Sequence, residues 1–172
     1  NKEKTLDYIG RITMVKKALK VLNKIELLVI YITFGGMIFA AFAQVIFRLI
    51  LKSPLAWSEE VCRYCFVWLV FLGGGWAVSG DAHFRVDFMI ALFPKTERIF
   101  TFISHVGMLA FGGVILAYGI SMLSIAAKQV SPALHISLAI PYAALPVSGM
   151  LIIIHELEKF YDMFRKSATD NT

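Results

Sequence analysis

The amino-acid sequence predicts an all-α integral membrane protein: four transmembrane helices preceded by an amphipathic interfacial helix, with both termini in the cytoplasm. Three observations carry this. Of 172 residues, 58% are hydrophobic and 17% charged, against about 45–50% and about 25% in soluble domains, so the apolar excess must face something other than water. The charged residues leave four gaps, at 27–47, 64–80, 99–127 and 129–154. With modest extension or tilt, each supplies the roughly 20 residues that cross a hydrocarbon core of about 30 Å. Lysine and arginine are unevenly placed: 7 lie before residue 27, 3 within 81–98 and 3 after 154, against 4 on the other side. The positive-inside bias then sets both termini in the cytoplasm. The same distribution reads the net charge of +5 as membrane-loop charge and not as a nucleic-acid footprint.

Residues 1–26 carry an apolar ladder, Leu6, Ile9, Ile12, Val15, Leu19, Leu22 and Ile25, with Lys16, Lys17, Lys20 and Lys24 between its rungs. That spacing predicts a helix lying on the membrane with its cations toward lipid headgroups. A partner-docking helix is the alternative. The transmembrane domain is expected over 27–164, with spans near 27–50, 56–80, 97–127 and 139–163. A polar cytoplasmic tail follows at 165–172. Pro132, Pro141 and Pro146 interrupt the last gap. Because proline fits a first helical turn but costs about 3 kcal/mol in an interior, the helix should start near Pro141, with Pro146 as a possible kink. Residues 129–140 then form an outer connection. No signal-peptide pattern opens the chain.

Ionisable groups beside a span cost roughly 2.5–3.5 kcal/mol at mid-helix, so each needs a reason. Arg48 and Lys52 close the first span and can reach outer headgroups. In the segment Ser53-Pro54-Leu55-Ala56-Trp57-Ser58-Glu59-Glu60, either Ser53 or Ser58 offers a helix start, with the acids at the positive end of the dipole. Arg63 is three residues from Glu60 and four from Glu59, so it can pair with either on one helix face. Alternatively, Glu60 or Arg63 pairs with a second membrane protein. Gly36 with Ala40, Gly73 with Ala77 and Gly113 with Ala117 are small residues four apart, a spacing that admits close helix approach within this chain or to another. No Asp, Glu, Lys or Arg falls near the middle of a gap. The spans therefore hold no evident proton relay, ion site or counter-charge, which argues against a self-sufficient transporter.

Two enzyme readings have some footing. Cys62 and Cys65 are three apart on the outer side, as in a membrane thiol/quinone redox protein, but one pair cannot complete the electron relay, and two packed small hydrophobes explain it as well. A haem bundle needs axial histidines at matched depth, whereas His105 lies inside a span, His155 at its edge, and His83 and His135 in loops on opposite sides. His105 is better read as a satisfied interior histidine. His83 and Asp87 could share a helix face as an ion pair or two metal ligands, without a third ligand; a polar turn capping the next helix is the plainer reading.

The run Trp57-Ser58-Glu59-Glu60, Arg63-Tyr64, Phe71-Leu72-Gly73, Ala77, Gly80, His83, Val86-Asp87 and Pro94, followed by Pro141 and Ala144-Leu145-Pro146-Val147, resembles the small membrane subunit of TRAP (tripartite ATP-independent periplasmic) transporters, the DctQ-type or Q subunit. The resemblance covers about residues 48–150. It implies a multi-pass protein of a bacterial or archaeal cytoplasmic membrane, working with a large many-span subunit and a periplasmic substrate-binding protein. Such systems import organic anions, carboxylates such as C4-dicarboxylates or sialic acid, on a sodium gradient. Sodium and substrate sites are expected in the large subunit, so this chain carries no catalytic, cofactor or metal residue. Candidates for the subunit interface are Arg48, Trp57, Glu60, Arg63, Gly73, Ala77, His83 and Asp87. Those for touching the binding protein are Lys52, Ser53, Gln129 and His135. The polar end at Thr172 suggests separate small and large chains.

Overall fold

A computed structural model describes residues 2–53, 55–79 and 97–169. Among them run α1 (Lys2–Ile50), α2 (Ala56–Ser79), α3 (Glu97–Ala126), a single turn α4 (Ala139–Tyr142) and α5 (Ala144–Thr169). Four stretches are long and apolar enough to cross a membrane: Lys17–Ile50, Ala56–Ser79, Thr101–Ala126 and Ala139–Phe160.

The expected interfacial helix is not a separate element. It continues into the first span as one 49-residue helix, about 74 Å long at about 1.5 Å per residue. No proline interrupts Lys2–Ile50, so nothing in the backbone separates the two halves. α1 ends where Lys52 turns to a positive φ of 51° ahead of Pro54, which disfavours helix at Ser53. A side chain in the left-handed region costs about 1–2 kcal/mol that glycine avoids. Lys52→Gly is therefore expected to raise the melting temperature of the purified chain slightly, by no more than about 1 kcal/mol in stability. At the other end, helix continues through the expected polar tail as far as Thr169.

Neither serine directly precedes α2. Ser53 lies outside the helix, and Ser58 sits inside its first turn with its hydroxyl donating back to the Leu55 carbonyl at 2.8 Å. The last span breaks at Ala143 and not at Pro146. Proline at 146 has no N–H for the Tyr142 carbonyl, so the interruption falls one turn earlier. Pro141 and Pro146 both occupy first turns, where a missing N–H costs least.

α1 packs on α2, α2 on α5, and α5 on α3; among the described residues α1 does not pack directly on α3. The helices thus form an open row rather than a closed bundle. The apolar residues buried along it are small or central: Ala40, Leu72, Val78, Ala126, Ala144, Leu151 and Ile152. Large side chains such as Phe39, Phe42, Leu49 and Tyr118 are left 66–73% exposed, surface that requires lipid or a protein partner.

Glycines fix the closest crossing. A Cβ on Gly149 would lie 2.7 Å from the Leu116 nitrogen, and one on Gly119 would lie 2.7 Å from the Pro146 nitrogen, so α3 and α5 meet backbone to backbone. The α2–α5 seam is polar as well. The Ser148 hydroxyl donates to the Phe71 carbonyl at 2.8 Å, and next to this seam the Trp68 indole donates to the Ile140 carbonyl of α4 at 3.2 Å.

Candidate functional site

The stretch that the sequence singles out, Trp57 to Ala77, is α2, and α2 stands inside the row with α1 on one side and α5 on the other. Its buried side holds Ser58, Glu60, Leu72, Gly75 and Val78. The opposite side carries Glu59, Arg63, Phe66, Val70, Gly73 and Ala77, spaced three or four apart so that they form one stripe along the helix. Phe66 is 58% and Val70 51% exposed, and a Cβ on Gly73 would meet nothing within 4 Å. This face is wide at its Glu59 end, with two large apolar residues, and shallow at its Ala77 end. Such a surface admits another helix closely where the small residues lie.

The two acids of the motif have different fates. Glu59 accepts from the Arg63 guanidinium at 3.0 Å, with both side chains 65% exposed. A pair so open contributes about 0–1 kcal/mol and leaves Arg63 available on the face. Glu60 points inward. Its two carboxylate oxygens accept the backbone N–H groups of Ala133 at 3.1 Å and Leu134 at 3.0 Å, so the expected partner Arg63 goes to Glu59 and Glu60 is taken up within the chain. Sequence spacing could not find this contact, since the acceptor and donors are more than seventy residues apart.

Glu60 thereby clamps the connection between α3 and α4. That turn is otherwise held by an isolated antiparallel bridge between Val130 and Ser137, by Ser131 N–H donating to the Ile136 carbonyl at 2.8 Å and by Leu138 N–H donating to the Gln129 carbonyl at 3.0 Å. His135 takes a positive φ of 53° at its tip. Lys128, Gln129, Val130, Pro132 and His135 are exposed on this fixed turn, and Lys52 and Ser53 are exposed at the same end of the protein. Arg48 is exposed in the last turn of α1 and Trp57 is 40% exposed at the start of α2. His83 and Asp87, with Gly80, Val86 and Pro94, lie outside the described residues.

The small-residue pairs of identical spacing separate cleanly. Gly36 meets Cys65, with 3.9 Å from its would-be Cβ to the sulfur, and Ala40 is 1% exposed; this pair serves the α1–α2 seam. Gly73 and Gly113 meet nothing, and Ala77 and Ala117 are exposed, so these pairs face outward. Cys62 and Cys65 are free thiols that pack toward α1, Cys62 reaching the Met37 carbonyl at 3.6 Å. Among the described residues no group of three or more His, Cys, Asp or Glu could hold a metal ion.

Sequence reasoning missed two acids at the opposite end of the helices from this turn. Glu26 Oε2 meets His155 Nε2 at 3.1 Å, both side chains 1% exposed. Glu156 Oε1 meets His105 Nδ1 at 3.1 Å, which gives the interior histidine its partner. The available signal was an acid bordering an apolar gap and a His155-Glu156 dyad at the end of the last one, since such groups stay buried only when paired.

Comparison with known proteins returns relatives of one kind. The sialic acid TRAP transporter permease protein SiaT of Haemophilus influenzae is 32% identical over 147 residues, which cover 81% of this chain and 23% of that one. The sialic acid TRAP transporter small permease protein SiaQ of Vibrio cholerae is 24% identical over 147 residues, 85% of each chain. The C4-dicarboxylate TRAP transporter small permease protein DctQ of Rhodobacter capsulatus is 26% identical over 129 residues, 73% of this chain and 57% of that one. Residues 37–166, which take in the open face of α2, the clamped turn and the His105–Glu156 pair, match the family of tripartite ATP-independent periplasmic transporters, DctQ component, and this multi-pass membrane chain belongs to that family.

Proposed function

We propose that the chain is the non-catalytic small subunit of a sodium-coupled tripartite importer of organic anions in a bacterial or archaeal cytoplasmic membrane. The observation that carries this is the open stripe of α2: an inner helix of the row leaves Arg63, Phe66, Val70, Gly73 and Ala77 uncovered. Its occupant is the large membrane subunit. The SiaT relative supports that assignment, because the matched region occupies only 23% of a longer permease chain. Sialic acid and C4-dicarboxylates, named for relatives, support organic anions as the substrate class.

In this role the chain works mechanically. Both termini are cytoplasmic, a placement that the lysine and arginine distribution supports, and the apolar flanks of the row anchor it in lipid. It widens the static part of the complex, against which the large subunit's moving domain slides. Sodium and substrate sites belong to that large subunit. The clamped turn with Lys128, Gln129 and His135, together with Lys52 and Ser53, faces the periplasm and helps dock the binding protein.

The test is copurification in mild detergent. Gly73→Leu fills the shallow part of the face, where an added Cβ meets nothing within 4 Å, and Arg63→Ala removes its cation. Both are expected to reduce recovery of the large subunit at least about tenfold, equivalent to about 1.4 kcal/mol of binding, with melting of the isolated chain unchanged. Full recovery with both variants would remove α2 as the docking face.

A further inference from the structure

We propose that Glu26 and His155 form a clasp through a gap in α2 at Gly75, fixing α1 to α5 and so holding the open face of α2 in shape. α1 and α5 are not neighbours in the row; α2 lies between them. Yet Glu26 Oε2 reaches His155 Nε2 at 3.1 Å. The gap is glycine: a Cβ on Gly75 would stand 3.1 Å from Glu26 Oε1 and 3.6 Å from the Leu151 Cβ. On α2 that position is two residues from Gly73 and two from Ala77, so the clasp passes directly behind the shallow part of the docking face. The next residue of α5, Glu156, holds His105 of α3, whose ring also meets Phe160 edge-on at 6.4 Å. Two successive residues of α5 thus tie down both outer helices.

The chemistry suits a clasp. A carboxylate and an imidazole at hydrogen-bond distance give each other a buried partner, whereas either one left alone in that position is a stranded polar group. An open row has little apolar core to set the distance between α1 and α5, so a directional contact sets it. Glu26 and His155 are positioning residues here. Only the consequence for α2 rests on the docking role assigned above.

The experiment uses the full chain in detergent micelles, with spin labels at Val21→Cys on α1 and Leu157→Cys on α5, both exposed positions, in a Cys62→Ala, Cys65→Ala background. Glu26→Leu and His155→Leu are each expected to broaden the α1–α5 distance distribution and to lower the melting temperature by more than about 5 °C. The double variant should lose no more than either single, because it strands nothing. Gly75→Ala should broaden the distances in the same way, while Gly74→Ala, which meets nothing within 4 Å, should not. Wild-type distances in both single variants and in Gly75→Ala, or losses that add in the double, would overturn the clasp. These distances are read without any partner, so a failure of the docking assignment is seen separately, in copurification.

Discussion

Gly149→Ala is expected to destabilise the chain strongly, although it adds a single methyl group. The new Cβ would lie 2.7 Å from the Leu116 nitrogen, 3.0 Å from the Gly112 carbonyl oxygen and 3.0 Å from the Leu116 Cα. All three are backbone atoms that cannot swing aside, so α3 and α5 must separate. Overpacking of this kind costs about 1–3 kcal/mol or more. It opposes the gain of about 1 kcal/mol that alanine brings to a helix interior. The clash decides the sign. At Gly113, where a Cβ meets nothing within 4 Å, only the propensity gain remains and Gly113→Ala should be neutral or slightly stabilising. Thermal melting of the purified chain in detergent reads both. Equal melting temperatures for the two variants would mean that α3 and α5 do not cross at Gly149.

Glu60→Ala should release the turn at 129–138. The variant leaves the N–H groups of Ala133 and Leu134 without their acceptor, and hydrogen bonds to a charged group contribute about 1.5–3 kcal/mol each. Glu60→Gln keeps one carbonyl oxygen and should fall between the wild type and Glu60→Ala. Limited proteolysis from the turn side is the direct readout. Cleavage within 129–138 should rise at least about tenfold in Glu60→Ala, with the helices intact. An unchanged cleavage pattern would show that the turn is held by its own backbone bridge alone. Under the docking role proposed for Gln129 and His135 on this turn, the same variant should also lower uptake in transport assays.

The spans were legible because lipid imposes their length and because charges and prolines mark their ends. The gaps at 27–47, 64–80, 99–127 and 129–154 each overlap one of the four long apolar stretches, the last with its helical part beginning at Ala139. The connection expected at 129–140 was legible for the same reason, although its last two residues already belong to α4. What the spacing of small residues could not reveal is direction. Gly36 with Ala40 and Gly73 with Ala77 are the same pattern, yet one pair lines an internal seam and the other faces outward, because facing is decided by neighbours far along the chain. Glu60 shows the same limit. Local geometry favours Arg63, but two backbone N–H groups in a turn offer a carboxylate more than one exposed guanidinium that Glu59 can satisfy. The clasp lay furthest from view, with 129 residues between Glu26 and His155 and its enabling residue, Gly75, on a third helix.

The proposed function stands on α2 presenting this chain to a larger membrane partner. It is tested most directly by affinity purification of the wild type and of Gly73→Leu from native membranes in mild detergent, with identification of what co-elutes. A many-span permease subunit should co-elute with the wild type and be lost from a Gly73→Leu chain that melts normally. A wild-type chain that elutes alone, or a variant that retains the permease in full, would contradict the proposed function.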